Sequence, residues 1–99
     1  LLFATTLEKD ISGMLDRALV RFDEVVFTRY LNNPRAVPPE ELAEIAKSLT
    51  GRSYPVCAGP ADAWEHVCRL AGPDDLICVA GSFFIAGEMR HEIQARPYV

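Results

Sequence analysis

The sequence predicts an α/β domain whose mainly parallel sheet is covered by helices on both faces. Three observations point there. Short β-prone runs alternate with stretches carrying apolar residues at i, i+3, i+4 and i+7. The connections between them are short, which implies right-handed crossovers. The runs Glu24–Thr28 (E-V-V-F-T) and Asp75–Ala80 (D-L-I-C-V-A) are mostly apolar, as strands buried on both faces tend to be. The expected architecture is a three-layer, Rossmann-like domain built from four strand-then-helix units.

Leu1 to Thr5 opens the first unit as a short apolar strand. Ile11, Met14, Leu15, Ala18 and Leu19 then share one helical face, with Asp10 at the N-cap position. Glu24–Thr28 is the second strand. A polar loop, Arg29 to Pro38, leads to Pro39 in a first-turn position, followed by Glu40 and Glu41, whose charges suit the positive end of a helix dipole. Leu42, Ile45, Ala46 and Leu49 form that helix's stripe, and Gly51 closes it as a C′ glycine.

Ser53–Cys57 is read as a third, short strand near an edge, because Pro55 has no N–H for a ladder. Ala61, Trp64, Val67, Cys68 and Ala71 give another helical face, ended by Gly72-Pro73, and Trp64 on that stripe is expected in the core. Asp75–Ala80 is the fourth strand. Val25, Val26 and Phe27 are expected buried in a central strand, and Leu76, Ile77 and Val79 in another. After the Gly81-Ser82 turn, Phe84, Ile85, Met89 and Ile93 suggest a last helix.

Composition narrows the function. Ninety-nine residues with 49% hydrophobic and 24% charged side chains suit a single globular core. A net charge of −4, with no basic run longer than two residues, argues against a nucleic-acid partner. No apolar run approaches the ~20 residues a membrane span needs. Cys57, Cys68 and Cys78 share no C-x-x-C spacing and read as buried, reduced thiols of a cytoplasmic protein. The opening Leu1-Leu2-Phe3-Ala4-Thr5 lacks an initiator Met and enters directly on a strand pattern, so a piece of a longer chain is expected.

Neither a G-x-G-x-x-G after the first strand nor a G-x-x-x-x-G-K-[ST] loop is present. No metal-ligand spacing or Ser/His/Asp arrangement is present, and His66 and His91 lie among charged residues on helices, where they read as surface groups. Ligands of open α/β sheets bind beyond the carboxyl ends of the strands. Three polar clusters fall there: Thr5 to Asp10, Arg29 to Arg35, and Gly81-Ser82. Lys9, Arg35 and Ser82 could together hold a small anion such as a carboxylate, with arginine gripping in two-pronged fashion and lysine as a point charge. The same three residues also fit two solvated loop charges and a helix N-cap.

L-L-F-A-T-T-L-E-K-D resembles the strand-loop of folylpolyglutamate synthases that ends in D-[KR]-D. V-V-F-T-R-Y-L-N-N-P-R-A resembles their second strand and N-P-R-A loop, and D-D-L-I-C-V-A-G-S-F-F-I-A-G-E-M-R their strand, G-S turn and hydrophobic helix. Together the motifs span residues 1 to 90 in matching order. The same plan belongs to the C-terminal domain of the Mur ligases. Glu8 stands where the family often has Asp, and Asn32 where the Mur D-N-P-R motif has Asp, a departure that favours the folate branch.

The resemblance implies that residues 1–99 are a single domain, the C-terminal part of a folylpolyglutamate synthase/dihydrofolate synthase. Such a ligase adds L-glutamate to folate or to dihydropteroate. The implied roles put Lys9, Arg35 and Ser82 on the glutamate substrate, with no catalytic residue and no metal ligand in this chain. ATP and Mg would bind mainly outside it, and its own N-terminal ATPase domain would be its partner in a monomeric enzyme. The family's D-G-A-H-N segment, which meets the nucleotide, precedes the strand at which this chain begins. The alternatives are the C-terminal domain of a peptidoglycan Mur ligase and a stand-alone Rossmann-like binding or interaction domain.

Overall fold

Parallel pairing around Leu2–Phe3 organises the chain. In the computed structural model, which describes residues 1–6, 10–29, 31, 36–80, 89–90 and 93–94, this strand (β1) lies between Val26–Phe27 (β2) and Val79–Ala80 (β3). Leu2 faces Val26 and Val79, and Phe3 faces Phe27 and Ala80, all in parallel register. Beyond β2 a fourth segment joins through one parallel bridge, Phe27 to Val56. The Phe27 N–H donates to the Pro55 carbonyl (3.0 Å) and the Cys57 N–H donates to the Phe27 carbonyl (2.8 Å). The Ser53–Cys57 strand therefore takes the edge position its proline demands, shrunk to a single bridge because Pro55 has no N–H to extend the ladder.

Helices α1 (Ile11–Ala18), α2 (Pro39–Thr50) and α3 (Pro60–Leu70) cover the sheet. Their ends follow from local chemistry. The Asp10 carboxylate accepts the Gly13 N–H at 3.2 Å and caps α1. Pro39 stands at the start of α2 with Glu40 and Glu41 in its first turn. Gly51 ends that helix at φ 76°, a left-handed conformation that glycine adopts without a side-chain clash.

Alternation along the strands divides the core into two. Leu1, Phe3, Val25 and Phe27 pack with Leu15 and Leu19 of the α1 region and with Leu42 and Ala46 of α2. Leu2, Ala4 and Val26 point the other way, against Ala63, Trp64 and Val67 of α3 and against Met89. That is a three-layer α/β sandwich with parallel strands, as the sequence implies. Two crossovers run over one face, from β1 to β2 and on to Val56. The α3 crossover returns over the other face to β3, so strand order reverses between β1 and β3.

Two expectations need correction, while that for Val25, Val26 and Phe27 holds, since all three are buried. β2 lies between β1 and the Val56 bridge, an interior place as expected. Leu76, expected in the core, is 86% exposed, and Ile77 and Val79 are half-buried. A turn precedes them, in which the Gly72 N–H donates to the Asp75 carboxylate (2.7 Å) and the Asp75 N–H to the Gly72 carbonyl (3.1 Å). Pairing with β1 begins only at the Cys78 carbonyl, which accepts the Leu2 N–H at 2.8 Å, so Leu76 emerges before the sheet can cover it. The three cysteines form no disulfide and are half-buried rather than buried. Of the expected last helix, Met89–Arg90 and Ile93–Gln94 are helical, while Phe84 and Ile85 lie outside the described residues.

Candidate functional site at the carboxyl ends of the strands

The point where strand order reverses is where an open parallel sheet leaves a crevice, since the helices on either side depart to opposite faces. Here that point is the carboxyl end of β1 and β3. The strands are held together up to this end, where the Ala4 N–H donates to the Ala80 carbonyl at 3.3 Å. β1 continues into Thr5 and Thr6, and the loop after β2 returns to meet them. The Val37 N–H donates to the Thr5 carbonyl at 3.0 Å, and Thr6 forms an antiparallel bridge with Ala36. Thr5 and Val37 are fully buried, so this clasp is shielded from water.

A second tie steadies the same end. Thr28, fully buried at the end of β2, donates its hydroxyl to the Cys57 carbonyl at 3.1 Å. A buried hydroxyl without a partner is costly, so this bond fixes where the edge segment ends relative to β2. Arg29 follows immediately and is exposed. It is a described cation at the carboxyl end of β2, which the sequence reading counted in the Arg29 to Arg35 cluster without selecting it as a site residue.

Lys9, Arg35 and Ser82 themselves lie outside the described residues. The residues flanking them do not. Lys9 falls between Thr6 and Asp10, Arg35 directly precedes Ala36, and Ser82 comes two residues after Ala80. The Thr6–Ala36 bridge thus joins the segment leading to Lys9 with the segment leaving Arg35, and β3 lies beside β1 on the other side. His66, on α3, is half-buried, and His91 is outside the described residues. Burial pushes the Cys57 thiol above its ordinary acidity range, with the Asp62 carboxylate adding to the shift and Arg69 opposing it. Among the described residues no group of His, Cys, Asp or Glu could hold a metal ion, and no helix among them is long and apolar enough to cross a membrane.

The sequence profile of the Mur ligase, glutamate ligase domain matches residues 1–83. The chain belongs to this family. Over 60 residues it is 38% identical to the UDP-N-acetylmuramoyl-L-alanyl-D-glutamate–2,6-diaminopimelate ligase of Alkalilimnicola ehrlichii, covering 60% of this chain and 12% of that enzyme. A Mycobacterium tuberculosis folylpolyglutamate synthase, solved with ADP and AMPPCP, superimposes with a TM-score of 0.79 at 28% identity over 91% of this chain. A second structure of that synthase, solved with ADP, gives 0.62 at 27% identity over 70% of the chain. The chain spans 22% and 15% of those two synthase chains.

Proposed function

We propose that residues 1–99 are the C-terminal domain of a folylpolyglutamate synthase-type ligase, holding L-glutamate while the rest of the enzyme activates the folate carboxyl. The observation that supports this most is the clasp at the carboxyl edge. Thr6 pairs with Ala36, and β3 runs beside β1, so the flanks of Lys9, Arg35 and Ser82 belong to one end of one crevice. Glutamate brings carboxylates that need cations or N–H donors, while its amine must stay unprotonated and free to attack. Lys9 and Arg35 supply the charge, Ser82 a hydroxyl, and Arg29 a further cation at the same end.

When bound, ATP with Mg activates the folate carboxyl by phosphorylation. This chain carries no phosphate loop, and the described residues offer no metal ligand set, so both sites are assigned to the remainder of the full-length enzyme. The glutamate amine then forms the new C–N bond as phosphate leaves with the C–O bond electrons, and the amine loses a proton. The domain's task in that step is positioning: it keeps the amine directed at the acyl carbon and the carboxylates out of its way.

The test is kinetic and uses the full-length enzyme. Losing one charge-assisted contact costs ~1.5–3 kcal/mol of binding, which is roughly ten- to a hundredfold. Lys9→Ala is expected to raise KM for glutamate by that factor and to leave KM for ATP nearly unchanged. Unchanged glutamate dependence would remove the role given to the lysine. The 38% identity to a diaminopimelate ligase over 60 residues favours a second reading, a Mur-type ligase with another amino acid. Product formation with diaminopimelate, and none with glutamate, would select it.

A further inference from the structure

Two turns meet beyond the carboxyl ends of β2 and the Val56 segment. Thr28 donates its hydroxyl to the Cys57 carbonyl at 3.1 Å. Three residues on, Leu31 lies over Gly59, the N-cap residue of α3. A β-carbon built on Gly59 would stand 3.2, 3.6 and 3.7 Å from the Cδ2, Cδ1 and Cγ atoms of Leu31. The isopropyl end of the leucine thus borders the space that a side chain at position 59 would fill. Backbone conformation does not call for glycine there, since φ −166° and ψ −179° are extended values open to every residue. The close approach of Leu31 does. Gly59 is buried, whereas Leu31 is 64% exposed, too open to water for this contact to serve the core.

What the contact holds in place follows from the chain. Arg29 stands between Thr28 and Leu31, both tied to the turn at 57–59, and it is exposed at the carboxyl edge. Further along, Ala36 is bridged to Thr6. A cation whose backbone is tethered on both sides meets a carboxylate without the ligand having to order the segment that carries it. We propose that Leu31 and Gly59 are positioning residues for the amino-acid substrate: the leucine's seat on the glycine holds Arg29 where a substrate carboxylate can reach it. The inference rests on the reading that this domain holds an amino acid for a ligase.

The test uses the full-length ligase and reads KM and kcat for the amino acid it adds. Leu31→Ala removes the seat, so the substrate must order the segment itself, and KM is expected to rise about three- to tenfold. The kcat is expected to stay within about twofold of the parent, because the complex formed at saturation is the same. The unfolding midpoint is expected to move by no more than about 2 °C, since Leu31 is mostly exposed. Leu31→Met keeps an apolar side chain of similar size and is expected to keep the parent KM. Gly59→Ala displaces the leucine by a few tenths of an ångström. It is expected to raise KM in the parent and to add nothing in the Leu31→Ala enzyme. Likewise, Leu31→Ala is expected to add nothing once Arg29→Gln has removed the cation. An unchanged KM in Leu31→Ala, an equal rise in Leu31→Met, or additive effects in either double variant would overturn the proposal. An enzyme that adds diaminopimelate and not glutamate would refute the glutamate reading, and the same comparisons made with diaminopimelate would still decide the seat.

Discussion

Phe27→Ala probes the fold at a residue that pairs on both edges of β2. Phe27 is fully buried in β2. Its ring meets Phe3 edge-on, at 6.0 Å between centroids and 85° between planes, and Tyr54 at 5.7 Å and 77°. Emptying such a site costs ~3–5 kcal/mol. Two aromatic pairs, each worth ~0.5–1.5 kcal/mol beyond their buried area, put the loss in the upper half of that range. A domain of this length has only ~5–15 kcal/mol in total. At ~4–8 °C per kcal/mol, a loss of about 4 kcal/mol lowers Tm by roughly 16–32 °C. The assay is thermal unfolding of the 99-residue chain, followed by far-UV circular dichroism and by the fluorescence of the buried Trp64. Phe27→Leu keeps most of the apolar volume and loses both ring pairs, so its Tm is expected between those of the parent and the alanine variant. A Phe27→Ala chain that melts within about 5 °C of the parent would refute the packing described here, because no site with these contacts loses so little.

Other expectations are simpler to check. The 99-residue chain alone is expected to release no phosphate from ATP in the presence of folate and glutamate, since it contains no phosphate loop; sustained release after repurification would contradict that. Gly51→Ala is expected to cost ~1–2 kcal/mol in urea unfolding, because the residue sits at φ 76° and alanine pays for the left-handed conformation. Asp10→Ala is expected to cost ~1 kcal/mol through the lost cap on α1. Cys57 is expected to alkylate more slowly at neutral pH than an ordinary thiol, with its rate rising only above the usual thiol range. The raised value means the folded state holds this proton more tightly than the unfolded chain. Its contribution to stability is thus present below the unfolded thiol's pKa and lost as pH climbs through the folded one.

How much of this was legible in the sequence depended on the range of the interaction. Asp10, Pro39 and Gly51 act within one helical turn, and capping chemistry placed each correctly. Pro55 was legible as an edge residue because its missing N–H is a property of the residue itself. The interior place of β2 was legible from its unbroken apolar run, but the full strand order, with β1 between β2 and β3, was not. Leu76 misled for a related reason. An apolar residue in an apolar run looks like core, and whether anything lies over it is decided by other segments. The Thr6–Ala36 bridge and the Thr28–Cys57 hydrogen bond join residues about thirty positions apart and leave no periodic mark. Those contacts set the geometry of the candidate site, which is why its parts could be named from sequence while their assembly could not.

The packing of β1 and the shape of the carboxyl edge are one constraint. Leu1 and Phe3 belong to the core beneath α1 and α2, Leu2 and Ala4 to the core beneath α3. Side chains alternate with a period of two, so a slip of one residue in β1 would exchange the two sets between cores of different shape. Phe3 would leave Phe27 and Trp64 would lose Leu2. The same slip would carry Thr6 off Ala36 and Thr5 off the Val37 N–H. The segments leading into Lys9 and out of Arg35 would then part at their shared anchor. A loop that grips a substrate gains affinity only if its position is settled before the substrate arrives. Here that settling is done by apolar residues several positions away, so on the proposed function substitutions at Phe3 or Leu2 that leave the chain folded are expected to weaken glutamate use without touching glutamate.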